Sequence, residues 1–171
     1  MAKKPAQEKK ESNIKVLVRE YLLDEDLMRG QIKDPKLDFG YKFVFPGGVD
    51  LQGRQRGRDF TVIKPKSKDY IEIRSGTIIA PKHVSKLKDK KKHFFAALNK
   101  YLLSKNFFFQ LDVKNNRYAI IDNIFLKKDG TVSKNSFYKT VRKIFTSTIY
   151  SIVLLKEFCD DILDLSDVEF T

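Results

Sequence analysis

Between Lys82 and Asn106 the sequence KHVSKLKDKKKHFFAALNKYLLSKN has the spacing of one long amphipathic helix, with strand-like alternation on either side of it. At 3.6 residues per turn, Val84, Leu87, Phe94, Phe95, Leu98, Tyr101 and Leu102 share one arc, about a third of the circumference wide. Lys86, Lys90, His93 and Lys100 take the opposite face. A helix placed in this way lays its apolar arc on a sheet built from the strands before and after it. Lys91 falls inside the arc. Either the helix proper starts near Asp89, or that end overhangs the sheet and Lys91 reaches water along its stem.

Before this helix, Ser12 or Asn13 is placed to cap a helix carrying Ile14, Leu17, Val18, Tyr21 and Leu22 on one face, with a stop expected near Gly30. Three strand patterns follow, Tyr41–Phe45, Phe60–Ile63 and Tyr70–Arg74. The links between them are too short for a crossover helix, so the strands are antiparallel. After the central helix, Asn115-Asn116 suits a two-residue turn, which sets Val113 opposite Tyr118, Leu111 opposite Ile120 and Phe109 opposite Asp122. Ser133 is placed as the N-cap of a last helix, with Val132 and Phe137 as its hydrophobic staple. That helix carries Phe137, Val141, Ile144, Phe145, Ile152, Leu155, Cys159 and Ile162 as a ladder. Ile149, Val153 and Leu154 widen it beyond one face.

The element order is helix, three strands, helix, two strands, helix: an α+β domain with helices packed on a five-stranded antiparallel sheet. We divide the chain into a charged arm over 1–13, expected to be mobile, one α+β domain over 14–156, and an acidic C-terminal segment over 157–171. The layout resembles the type III secretion chaperone-like fold, which includes bacterial sensory-transduction regulator domains, and an archaeal family of unknown function within it. The residues carrying that resemblance are Leu98-Asn99, Phe109 with Leu111-Asp112, and Ser133 ahead of Phe137, over Asn13 to Phe158. It implies protein binding and dimerisation, and it carries over no catalytic residue.

Composition agrees with a packed domain. The chain has 171 residues, 42% of them hydrophobic, with 14 Phe and 7 Tyr, more aromatics than a disordered chain carries. One cysteine excludes an intrachain disulfide and a cysteine metal cluster, and fits a reducing cytoplasmic setting. No apolar run reaches membrane-spanning length, and no secretory signal is present. His83 and His93 have no second pair of ligands near them, and the glycines from Gly47 to Gly57 lack the Gly-Lys-Ser/Thr ending of a phosphate loop. Neither an enzyme activity nor a cofactor is called for.

Charge is the remaining signal. The net charge is +12, from 34 Lys and Arg against 22 Asp and Glu. Lys82, Lys86, Lys88, Lys90, Lys91 and Lys92 crowd the start of the central helix, where the macrodipole disfavours cations. Arg54, Arg56 and Arg58 sit in the glycine-rich loop at a spacing suited to phosphate. These nine residues are the candidates for an anionic partner, set against a plain solvated face. Ile149, Val153 and Leu154 are the candidates for a homodimer interface. From Glu157 to Glu169 there are six acids and no base, so this end is expected to lie over the basic surface. The reading is a non-enzymatic protein-binding domain of unknown client, chaperone-like or regulatory, dimeric and cytoplasmic. The alternative is a sequence-nonspecific nucleic-acid binder, although neither basic segment interleaves aromatics for base stacking.

Overall fold

The computed structural model describes residues 5–160, with side chains from 13 onward. Helix α1 spans Pro5–Asp24, followed by strands β1 (Met28–Gln31), β2 (Leu37–Phe45), β3 (Arg58–Pro65) and β4 (Tyr70–Ile78). Helix α2 (Pro81–Leu87), a 3₁₀ turn (Lys88–Lys90) and helix α3 (Lys91–Ser104) come next. Strands β5 (Phe108–Asp112) and β6 (Arg117–Phe125) lead to helix α4 (Lys134–Phe158). The strands form one sheet in the order β1-β2-β3-β4-β6-β5. The expected α+β class and element order hold, with β1 added as a sixth strand at one edge.

Helix ends depart from the sequence expectation for a specific reason. α1 begins at Pro5, so Ser12 and Asn13 lie inside it, and it ends at Asp24 rather than near Gly30. Asp26 takes the left-handed conformation, φ 52°. The Asp26 N–H donates to the Leu23 carbonyl (3.0 Å) and the Leu27 N–H to that of Leu22 (2.9 Å). This is the paired bonding of a Schellman stop, closed by buried Leu27. α3 ends in the same way, with Asn106 at φ 56°, Asn106 N–H to Leu103 (3.1 Å) and Phe107 N–H to Leu102 (3.2 Å). Asp and Asn here do what glycine does more often. The chain therefore turns early enough to lay β1 on β2. At the start of α4, Ser133 Oγ accepts the Ser136 N–H at 3.1 Å, and Val132 and Phe137 are both buried, as the staple requires.

Contacts group the chain into two compact units, one up to Arg74 together with Asp122–Arg142, the other Ser75–Ile121 together with the chain from Lys143. In the first unit, Ile14, Val18 and Leu22 of α1 and Phe137 and Val141 of α4 are buried, as are Tyr41, Phe43, Phe60, Val62, Ile71 and Ile73 on one face of the strands. Phe43 stacks on Phe60 at 5.3 Å and meets Phe137 at 6.1 Å. The Tyr21 hydroxyl donates to the Val132 carbonyl, and the Tyr138 hydroxyl to that of Tyr21. Burial, helped by the charge of Glu25, pushes the Tyr138 phenol up to about 12. Lys134 bridges Asp24 (3.2 Å) and Glu25 (3.1 Å), fixing the start of α4 to the end of α1.

In the second unit Phe94, Phe95, Leu98 and Leu102 of α3 are buried together with Tyr118 and Ile120 of β6. The inner face of α4 is not the ladder read from the sequence. Ile144, Leu155 and Cys159 are buried, but the positions between them are filled by Ser147, Thr148 and Ser151. Phe145, Ile149, Ile152, Val153 and Leu154 are half-buried on the flanks, and Ile162 lies outside the described residues. Rings set this arrangement. The Tyr118 hydroxyl reaches Ser151 Oγ at 2.7 Å, and that of Tyr101 reaches Ser147 Oγ at 3.2 Å. Ser151 Oγ donates its proton to the Thr148 carbonyl (2.6 Å), which makes Tyr118 the donor to Ser151. Larger side chains at these positions would collide with the rings.

Register also differs. Asp112 pairs with Arg117, Leu111 with Tyr118 and Phe109 with Ile120, so the turn holds four residues instead of two. The Asp112 carboxylate causes the change. It accepts from the Asn115 side chain (2.8 Å), Arg117 Nε (2.9 Å) and the Asn115 N–H (3.1 Å). These bonds, that of the Asn115 side chain foremost, hold its pKa below the usual carboxylate range. A shift of two keeps every side chain on its expected face.

The seam gives a direct prediction. Ser151→Ala removes the Ser151 partner of the buried Tyr118 hydroxyl and is expected to cost about 1–3 kcal/mol. Tyr118→Phe in the Ser151→Ala background should cost less than in the wild type, because the bond between the two hydroxyls is then already lost. Urea denaturation of the four chains measures the coupling, and simple additivity would remove the bond from the argument.

Candidate functional site

A sheet in this order has two edge strands, β1 and β5, and they are built differently. β1 is four residues long, carries Arg29, and is bulged against β2 between Met28 and Gly30. Short length, charge and a bulge are the usual defences against a foreign strand. β5 is one residue longer and has no bulge. It pairs with β6 through five consecutive residues without a shift, and it reads Phe-Phe-Gln-Leu-Asp, with no Lys or Pro. Its one charge, Asp112, is engaged by Asn115 and Arg117.

Three of the five side chains along this edge, Phe108, Phe109 and Leu111, are apolar. Phe108 is 59% exposed on the face away from the helices, across from Ile121. Phe109 and Leu111 are half-buried on the helix-covered face, which Tyr118 and Ile120 share. On the uncovered face Ile78, at the end of β4, is 79% exposed. An extended segment laid beside β5 meets the outer side of an edge strand, with apolar side chains above and below.

The dimer candidates Ile149, Val153 and Leu154 are half-buried. Phe145, Ile149, Ile152 and Val153 follow i, i+4, i+7, i+8 spacing, so α4 carries a second apolar stripe beside its buried one. Tyr150, 43% exposed, stacks on Tyr101 at 4.0 Å.

The lysine run does not lie on one continuous helix. Lys88 has φ 39° and ψ −117°, ends α2 and opens the 3₁₀ turn, and α3 starts at Lys91. This agrees with the reading in which the helix proper begins near Asp89, and it leaves Lys91 half-buried. Lys82 and Lys86 stand on α2, Lys88 and Lys90 in the turn, Lys91 and Lys92 in the first turn of α3. Lys82, Lys86, Lys88, Lys90 and Lys92 are exposed. The start of α3 has no side-chain cap and no acid in its first turn. Lys90 Nζ contacts Asp160 Oδ2 at 2.6 Å.

Arg54, Arg56 and Arg58 belong to the other compact unit, so the nine basic candidates divide six and three. All three are exposed. Asp50 shapes their loop, its Oδ1 accepting the N–H of Gln52 (2.9 Å) and of Arg54 (2.7 Å). At Gly57 any Cβ would stand 2.1 Å from the Pro46 carbonyl oxygen, so the loop closes only around glycine. Leu51, at 96% exposure, stands out from the same loop.

Among the described residues no group of three or more His, Cys, Asp and Glu is placed to hold a metal ion, and no helix is long and apolar enough to cross a membrane. The sequence reading missed Phe108 and Gln110 as functional candidates. Local pattern does not encode which strand ends a sheet, and the lack of charge in this stretch was the available signal.

Fold and surfaces together define an α+β protein whose sheet ends in an edge strand, β5, without a bulge, Lys or Pro. The chain belongs to the family described as "Uncharacterized conserved protein (DUF2299)", whose model matches residues 14–155. It is similar to the crystal structure of an uncharacterized protein from Methanothermobacter thermautotrophicus, at 21% identity and a TM-score of 0.69, covering 84% of this chain and 96% of that one. That likeness shows the fold. A second solved structure, YbjN from E. coli, aligns at 14% identity and a TM-score of 0.40, covering 82% of this chain and 88% of that one, and no argument rests on it. No curated protein matches.

Proposed function

We propose that this is a protein-binding domain without catalytic activity, chaperone-like or regulatory, that takes up an extended segment of another protein along β5. The single observation supporting this reading is the contrast between the two edges: β1 is bulged and carries Arg29, while β5 is regular, mostly apolar and free of Lys and Pro. Main-chain bonds along β5 would supply affinity independent of sequence, and Phe108 on one face with Phe109 and Leu111 on the other would select apolar side chains at alternate positions. A cytoplasmic setting and kinship with the type III secretion chaperone-like proteins belong to the same proposal.

A display library of random peptides tests it. Peptides selected on the wild type should bind the double variant Phe108→Lys, Gln110→Lys at least about tenfold more weakly, a loss of about 1.4 kcal/mol. Both positions are exposed, so the fold should survive. The variant Lys88→Glu, Lys90→Glu, Lys92→Glu should bind the same peptides as the wild type. Peptides indifferent to the edge change would overturn the proposal. Duplex DNA bound at about 50 mM salt, with a log–log salt slope near −4 to −5 from about five phosphate contacts, would replace it with the nucleic-acid reading.

The second apolar stripe of α4 fits a second copy of the chain, in a two-fold arrangement through Ile149, Val153 and Leu154. Light scattering at high micromolar concentration should then give twice the chain mass, and the variant Ile149→Lys, Val153→Lys should give one chain mass. A monomeric wild type would contradict the dimer while leaving the β5 proposal standing.

A further inference from the structure

The end of α4 delivers the chain onto the lysine run. Phe158 packs edge-on against Phe94 at 5.9 Å, and Cys159 Sγ reaches the His83 carbonyl of α2 at 3.6 Å. One residue further on, the Asp160 carboxylate meets Lys90 at 2.6 Å. Asp160 itself turns through the left-handed conformation, φ 53°, its N–H donating to the Glu157 carbonyl at 3.1 Å, so the helix stops there. Residues 161–171 lie outside the described residues and read DILDLSDVEFT, with acids at Asp161, Asp164, Asp167 and Glu169.

The surface at which the chain arrives has a charge problem of its own. Six lysines stand against one acid between Lys82 and Lys92. Lys90, Lys91 and Lys92 stand at the uncapped start of a fourteen-residue helix with no acid in its first turn. Repulsion among them and the helix dipole both favour an incoming carboxylate. Charge is also distributed to suit such a contact: residues 1–155 hold 33 bases and 16 acids, a net of +17, and Lys156–Thr171 holds one base and six acids, a net of −5.

We propose that this lysine platform is a docking surface for an acidic peptide, and that its occupant in the isolated chain is the chain's own segment 161–171. Eleven residues reach up to about 35 Å when extended, further than the short helical and 3₁₀ turns of 82–92 span, so reach is ample. Each exposed ion pair is weak, but a tether anchored at Asp160 holds the carboxylates at an effective concentration on the order of millimolar. Asp160 on Lys90 is the first of these contacts. Asp161, Asp164, Asp167 and Glu169 extend the series toward Lys82, Lys86, Lys88 and Lys92, and an acidic partner must displace them. This surface is separate from β5, so its test stands apart from that of peptide uptake at the edge.

Zero-length carbodiimide coupling on an equal mixture of unlabelled and ¹⁵N-labelled full-length chain tests the proposal. Mass spectrometry should find Asp161, Asp164, Asp167 or Glu169 joined to the lysines of 82–92, with both peptides of each pair carrying the same label. The links should vanish near 1 M salt, where the screening length is about 3 Å. Pairs of mixed label would mean that the segment seats on a second copy, and an absence of links at low salt would mean that it does not seat there at all. Either result overturns the proposal. A second measurement uses poly-glutamate as the probe. The variant Asp160→Asn, Asp161→Asn, Asp164→Asn, Asp167→Asn, Glu169→Gln keeps side-chain size and removes charge. It should bind the probe several-fold more tightly than the wild type at low salt, with the gain shrinking as salt rises. Equal affinities, or no binding by either chain, would also overturn it.

Discussion

Aromatic rings on the sheet and on α3 decide what α4 can carry on the side that meets them. In the second unit Tyr118 rises from β6 and Tyr101 from α3, and each brings a hydroxyl that needs a partner. α4 answers with Ser147, Thr148 and Ser151, small enough to admit the rings and polar enough to satisfy them. The apolar residues of the same turns are thereby moved to the flanks, where Phe145, Ile149, Ile152 and Val153 form a second stripe. A helix with two apolar stripes and one sheet face has surface left over. The packing demand inside the domain thus generates the surface proposed for a second copy.

Chain reversals control the remaining surfaces. Schellman stops at Asp26 and Asn106 end α1 and α3 early and bring the next strand in at once. After α1 this produces β1, a guarded edge with its bulge and Arg29. After α3 it produces β5, which follows Phe107 directly and has no such defence. The asymmetry matters because an edge strand exposes a row of hydrogen-bonding groups whatever its sequence, and what varies is the protection around it. The surfaces proposed here as functional are an edge, a stripe and a basic platform.

Much of this was legible in the sequence, and what was not has identifiable causes. Ser133 with Val132 and Phe137 announced the start of α4, because an N-cap and staple act through adjacent residues. Alternation in Tyr41–Phe45 and Tyr70–Arg74 placed two strands, and the six lysines marked the platform by charge alone. The stop of α1 was missed because Asp26 serves where glycine was sought. β1 was missed because Met28–Gln31 contains one large apolar residue and becomes a strand only by pairing with β2. The hairpin register slipped by two because Asp112, Asn115 and Arg117 build the turn from side chains. The inner face of α4 was misread because apolar residues were assigned inward, and the size of the facing rings is a tertiary fact. Strand order, and with it the exposure of β5, is tertiary in the same way.

The central claim is that β5 is an open edge in the isolated chain. Amide hydrogen exchange, residue by residue at low micromolar concentration, tests it most directly. An open edge predicts alternation from Phe108 to Asp112: amides bonded to β6 exchange slowly, and those pointing away exchange at close to the rates of unprotected loops. Uniform slow exchange along all five residues would show that the edge is already covered, and would contradict the claim.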